Sequence, residues 1–153
     1  DHRDLHSFPT RRSSDLAANR LAGKYTWVFI DEIYLFFKYH YSAQFLYRCW
    51  KRFRKYAAAM TGATQNVEEC LRSDTARLMF ANSEFLMLLN QAATDRAELA
   101  KLLNISPTQM GHITNAPAGH GLIRVGGSIV PFANDFPRDT ELYRLMTTTP
   151  GDK

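Results

Sequence analysis

Two adjacent carboxylates, Asp31 and Glu32, stand directly after the apolar run Trp27-Val28-Phe29-Ile30. Acids placed there are costly unless they meet a cation or open onto a cleft. A pair so placed can hold a divalent cation against a phosphate and polarise an attacking water. A neutral amide, Gln65, follows a second small apolar run, Ala57 to Ala63. An amide at such a strand end can hydrogen-bond a γ-phosphate or the attacking water. Cys49 and Cys70 lie in separate helical patterns without metal-ligand spacing and read as buried thiols of a reducing compartment.

The elements that must position these groups follow from the pattern. A continuous apolar run as short as Thr26 to Ile30 suits a strand buried on both faces, as in a parallel sheet. Open α/β sheets bind ligands at the carboxyl ends of their strands. Strand, then Asp-Glu, is the Walker B arrangement of P-loop nucleotidases; a core strand followed by a solvated acidic turn gives the same string. A second parallel strand is expected to end within Gly62 to Gln65. Asn66 then caps a helix, with Glu69 in capping-box position, and helical spacing runs from Val67 to Ala81.

Before the strand, Ala17 to Lys24 reads as the end of a helix with Gly23 near its C-cap. After it, Ser42 is placed to cap a helix reaching about Ala58, its apolar side formed by Phe45, Leu46, Cys49, Trp50, Phe53 and Tyr56. Its other side carries Arg48, Lys51, Arg52, Arg54 and Lys55, either a solvated helix face or a patch for nucleic acid or another acidic partner. Glu84 to Asn90 predicts a third buried strand, and Thr94 a cap for a helix over 95–103. Ser106-Pro107-Thr108-Gln109 is a helix start with cap, Pro and box residue in order. Gly126-Gly127 between Leu122–Val125 and Ser128–Phe132 signals a hairpin. A last helix is expected over Arg138 to Met146, then a tail. Strands alternating with helices imply an α/β layered domain.

Residues 1–16 are set apart from this pattern. They coincide, in one reading frame, with the translation of a common short-read sequencing adapter. They are therefore expected to be disordered and to take no part in the fold. The net charge of +4 is unchanged by setting them aside, since they hold three Arg and three Asp. That mildly basic balance does not by itself indicate nucleic acid. No apolar run reaches the roughly 18 residues of a membrane span.

Three ordered stretches carry a family resemblance: Val28-Phe29-Ile30-Asp31-Glu32, Thr61-Gly62-Ala63-Thr64-Gln65-Asn66, and Asn82 to Gln91. Together with Gly119 to Ile123 and Val130-Pro131-Phe132, this set resembles the transport ATPase of bacterial type IV secretion and conjugation systems, the VirB/TraC/TraE type. The resemblance spans about Ala17 to Pro150. It implies α/β architecture: the carboxyl-terminal part of a RecA-like P-loop NTPase of the HerA-FtsK group. A mostly parallel sheet, flanking helices and a final β-hairpin would then be expected. It also implies ATP and Mg²⁺ as cofactors, a homo-hexamer, and a cytoplasmic place at the inner membrane beside the secretion channel components.

By position, Asp31 would be the acid on the Mg²⁺ side, Glu32 the catalytic base, and Gln65 a catalytic and nucleotide-sensing amide. Arg72, Arg77, Arg96 and Arg124 are candidates for an arginine acting in a neighbouring subunit. No Gly-x-x-x-x-Gly-Lys-Ser/Thr occurs in the chain, and Gly23-Lys24-Tyr25 does not substitute for it. The expectation is that residues 17–147 hold a P-loop domain from Walker B onward, with Walker A upstream of Ala17 and residues 148–153 a tail. A DNA-translocating coupling protein of the same superfamily, and a non-enzymatic fragment binding nucleic acid or another partner, are the competing readings.

Overall fold

The computed structural model describes residues 8–148. The chain divides into two compact units, residues 1–82 and 83–153.

In the first unit, helix α1 (Phe8–Leu21) leads to strand β1 (Thr26–Ile30). Gly23, at φ 68°, closes α1. Its N–H bonds Arg20 O, and the next N–H, of Lys24, reaches Asn19 O at 2.8 Å. This paired pattern is available cheaply only to a residue without Cβ. The start of α1 corrects one expectation. Residues 8–16 are helical rather than disordered, and Leu16 is buried. Pro9 sits in the first turn, where its missing N–H costs nothing, and each further residue adds one hydrogen bond to an existing helix. Residues 1–7 lie outside the described residues.

β1 pairs in parallel with β2 (Ala58–Gly62), in register Thr26 with Ala58 through Ile30 with Gly62. Between them run a 3₁₀ turn (Ile33–Phe37), helix α2 (His40–Arg52) and a second 3₁₀ turn (Phe53–Tyr56). α2 is shorter than its apolar spacing suggested, because the chain tightens at Phe53 and Ala57 takes a left-handed φ of 51° to enter β2. Tyr39, not Ser42, is the N-cap residue. The Ser42 hydroxyl lies inside the first turn and donates to Phe36 O at 2.6 Å.

The helical stretch after β2 is two helices, α3 (Val67–Leu71) and α4 (Asp74–Ala81). Ser73 divides them, its hydroxyl accepting from Ala76 N–H. Serine at a cap satisfies a helix N–H that an unbroken helix would bond internally. The core of this unit gathers Ile33, Leu46 and Met79, with Ile30, Phe36, Phe37, Tyr47, Trp50 and Met60 packed around them. β1 reaches that core through Ile30, and Thr26, Val28 and Ile30 form its half-buried face. Trp27 (64%) and Phe29 (70%) stand exposed on the other face, so the strand is not buried on both sides as its composition suggested.

The second unit holds an antiparallel sheet, β3 (Phe85–Leu88), β4 (His120–Val125) and β5 (Ser128–Ala133), in that order. A mostly parallel sheet is thus not what forms. One parallel pair and a three-stranded antiparallel sheet replace it, giving a mixed α/β fold. β3 pairs with β4 because Gly126 N–H, at the hairpin turn, bonds back to Glu84 O at 2.9 Å and sets that edge's register. β3 is an edge strand, with Phe85 and Met87 exposed, rather than a buried one.

Between β3 and β4 lie α5 (Ala93–Leu103), α6 (Pro107–Met110) and a 3₁₀ turn (Gly111–Ile113). Leu99, Leu103, Ile105, Ile113 and Leu122 are buried here. α5 is capped from Ala92 rather than Thr94, whose hydroxyl instead bonds Asp95 Oδ1. α6 has the full reciprocal box that Ser106 and Gln109 promised. Helix α7 (Glu141–Met146) starts at a Thr140 cap, later than expected. Residues 149–153 of the tail lie outside the described residues.

Candidate active site at the carboxyl ends of the parallel strands

Parallel pairing brings the exits of β1 and β2 to one end of the sheet. There the strands stay tied past their last ladder positions. Ala63 N–H bonds Ile30 O, and Ile33 N–H bonds Ala63 O, each at 2.9 Å. Asp31 and Glu32 bulge out between these two bonds. Glu32 takes the left-handed conformation, φ 47° and ψ 50°. A glutamate held there costs of order 1 kcal/mol, which the surrounding bonds must offset. What the kink achieves is to return Ile33, 4% exposed, over the end of β2. Its landing place is Gly62, where an added Cβ would overlap the Ile33 Cδ1.

The two acids are treated differently. Asp31 is exposed and accepts the Glu32 N–H on Oδ1 at 2.9 Å. Glu32 is half-buried, and its Oε2 is shut off from solvent without a hydrogen-bond partner among the described residues. Leaving a buried acceptor unpaired costs about 1–3 kcal/mol, more when it is charged. Such an atom is expected where a donor or cation completes the site.

Behind it lies Cys70 on α3, fully buried. Burial pushes its thiol up to about 11, a bond with the Thr64 side chain works against this, and the charges of Glu69 and Glu32 add to the rise. Glu32 thus turns one oxygen inward and its charge is felt at Cys70, while Asp31 faces water. The sequence marked Cys70 only as a buried thiol and did not mark Thr64; the cue was the Thr64-Gln65-Asn66 turn, in which Asn66 N–H donates to Thr64 Oγ1 at 3.1 Å.

Gln65 sits in that turn, exposed, three residues past β2. Asn66 immediately after it caps α3, its Oδ1 accepting from Glu69 N–H at 3.1 Å. The turn thus has a fixed backbone, and among the described residues the Gln65 amide bonds neither Asp31 nor Glu32. Strand topology places the three residues at one end of one sheet without linking their side chains.

The four arginines separate. Arg72 is ion-paired with Glu68 one helical turn away. Arg77 Nη1 donates to Leu71 O at 2.9 Å, bracing α3 against α4. Arg124 Nη2 donates to Ser83 O at 2.8 Å within the second unit. Arg96 is half-buried on α5.

Among the described residues no three His, Cys, Asp or Glu side chains gather as a metal cluster. Mg²⁺ does not require one. It is commonly held through one or two carboxylates, waters and substrate phosphates. An exposed Asp31 beside an unpaired Glu32 oxygen fits that partial donor set. A shallow depression of about 540 Å³ in this unit is lined by Phe37, His40, Gln44, Glu69, Arg72 and Asp74 among others, and includes none of the three candidate residues. Among the described residues no helix is long and apolar enough to cross a membrane.

No known protein-family profile matches the chain, and no curated protein matches it. Among solved structures, it is similar to VirB4 of Thermoanaerobacter pseudethanolicus, with a TM-score of 0.69 and 24% identity. The match covers 74% of this chain and 31% of that one, so the chain spans about a third of the length of the structure it matches. The chain shares its fold with part of VirB4, and the resemblance carried by its ordered sequence stretches is to transport ATPases of the same VirB type.

Proposed function

We propose that the chain is part of an ATP-hydrolysing motor of the VirB/TraC/TraE type, the part that carries the Walker B strand of a RecA-like domain of the HerA-FtsK group. The observation that carries this reading is the exit of β1. A parallel strand delivers Asp31 to solvent and an unpaired Glu32 oxygen to the interior, at the sheet end where α/β folds bind ligands, in a fold shared with VirB4.

In this reading Asp31 would hold Mg²⁺. Mg²⁺, when bound, neutralises charge on the β- and γ-phosphates of ATP. Glu32 is the general base. The left-handed turn at Glu32 orients its carboxylate. Gln65 presents its amide from a capped turn toward the γ-phosphate side. Residues 17–147 are the Walker B half of the site, and the phosphate-cradling Walker A loop comes from sequence outside these residues. The whole motor is proposed to act as a hexamer in the cytoplasm at the inner membrane, powering assembly of, or transport through, the conjugation channel.

The test is Glu32→Gln in the protein extended to include a Walker A loop. Mg·ATP affinity stays within a few-fold, while turnover falls by about 10²–10⁴, the usual worth of a positioned base. Near-normal turnover removes Glu32 from the mechanism.

A further inference from the structure

Between Glu32 and Glu68 the chain contains no acidic residue, yet it carries Lys38, Arg48, Lys51, Arg52, Arg54 and Lys55. Five of these six fall within Arg48 to Lys55, on the last turns of α2 and the 3₁₀ turn that follows, and all five are exposed. Among the described residues none of the five is in an ion pair. Lys51 instead lies over the Tyr47 ring, 4.3 Å from its centroid. Lys51 and Arg52, in the last turn, also complement the helix dipole. That effect fades beyond the last turn, so it accounts for neither Arg54 and Lys55 nor the missing acids.

Aromatic rings interleave with these cations. Tyr41, Phe45, Arg48 and Arg52 are spaced four, three and four residues apart, which puts them on one stripe of α2 about 16 Å long. Tyr41 is 85% exposed and Phe45 44%, and Tyr56 is also exposed just past the helix. The Arg52 end of the stripe, with Arg54 and Lys55, lies at the amino end of the parallel sheet, because α2 crosses from the carboxyl end of β1 back to the start of β2. Lys55 precedes β2 by three residues, Lys24 precedes β1 by two, and Thr26 N–H bonds Ala57 O between them. Asp31 and Glu32 are at the other end, about 16 Å away along five strand residues.

We infer that this surface binds single-stranded nucleic acid without sequence preference, the cations tracking phosphates and the exposed rings stacking on bases. The inference does not rest on the ATPase reading. An anionic membrane is the other polyanion that such a helix suggests. Lipid binding of an amphipathic helix depends on burying its apolar face. In α2 that face is already committed: Ala43 and Leu46 are buried, and Trp50 packs on the core of its own unit. What remains outside is a mixed row of rings and cations, the composition of a single-strand groove.

The experiment is fluorescence anisotropy of the 153-residue chain with a labelled single-stranded DNA 12-mer of mixed sequence, between about 50 and 200 mM salt, alongside the matching duplex and phosphatidylserine-containing vesicles. Five phosphate contacts give a slope of log K against log salt near −3.5 for a single strand. Arg52→Gln with Lys55→Gln lowers that slope by about 1.4. Arg54→Gln with Lys55→Gln, outside the helix, gives the same reduction if the first pair disturbs α2. Tyr41→Ser with Phe45→Ser weakens binding at least about fivefold, the worth of one stacked base, and leaves the slope unchanged. No salt-dependent binding, or a slope indifferent to both cation pairs, overturns the inference. So does vesicle binding that the cation pairs abolish while the 12-mer stays unbound. Duplex binding as tight as single-strand binding, with no loss in the ring variant, overturns the single-strand assignment.

Discussion

At the scale of residues, the informative contrast is between two neighbouring acids with opposite surroundings. Asp31 keeps its water and Glu32 gives up part of it. The inward placement of Glu32 is testable on this chain without nucleotide. The Cys70 thiol titrates near 11 because of burial first, with the Glu32 charge among the smaller contributions. Alkylation of Cys70 followed against pH should therefore show a midpoint near 11, and Glu32→Gln should move it downward. An unmoved midpoint would place the Glu32 carboxylate away from the thiol. The same shift has a stability consequence. A thiol raised above its ordinary value of 9.0 favours the folded state fully below pH 9, and that contribution is lost as pH rises through 11. For Gln65 the expectation is different, because its amide is exposed and bonded to neither acid. In the Walker A-containing protein, Gln65→Ala lowers kcat while ATP and ADP affinities change little; unchanged kcat returns Gln65 to an ordinary turn residue. The acids were legible in the sequence because an apolar run ending in Asp-Glu has few cheap conformations. Cys70 was legible only as a buried thiol, and its pairing with Thr64 was not, since that depends on how α3 returns across the end of β2.

At the scale of elements, β1 and β2 work as a pair because Gly62 lets Ile33 fold back over the sheet. Gly62→Val adds the branched side chain that a strand otherwise favours, but it collides with Ile33. The expected cost is about 1–3 kcal/mol, the range for overpacking, read as a fall in denaturant midpoint. Ile33→Ala alone costs about 2–5 kcal/mol through the cavity it leaves. The double variant costs less than the two added together, since the alanine clears the space that valine needs. Strict additivity would mean that the two residues do not share that volume. The capped elements were the readable ones. Asn66, Ser106 and the Gly126-Gly127 hairpin stand where their side chains or φ angles require. Elements whose ends depend on neighbours were misread. The apolar spacing from Val67 to Ala81 ran through Ser73, although that serine caps a second helix. Glu84 to Asn90 looked like an interior strand by hydrophobicity alone. Its partner is the edge of a hairpin about 35 residues later, which local composition does not encode.

At the scale of the whole chain, two sheet faces are left uncovered among the described residues. On the parallel pair, Trp27 and Phe29 stack at 5.3 Å over the small Ala59 and Thr61 of β2, with Trp27 Nε1 donating to Thr61 Oγ1 at 2.8 Å. On the antiparallel sheet, Phe85 (65%) and Met87 (60%) pair with Val125 and Ile123, and Val130 extends the same exposed face. Large apolar faces and open strand edges favour association. In the proposed reading the chain supplies only part of a nucleotide site. The chain supplies two adjacent carboxylates and no Walker lysine, and carboxylates without a bound cation repel phosphate. The 153-residue chain should accordingly bind Mg·ATP very weakly, hydrolyse none above background, and associate as concentration rises. Light scattering and calorimetric titration measure both properties. Trp27→Thr with Phe29→Thr should reduce the association without restoring ATP binding, because it removes exposed rings and leaves the phosphate site unchanged. Micromolar ATP affinity in a clean monomer would contradict the half-site reading, and with it the role of Asp31 and Glu32 from which that reading starts.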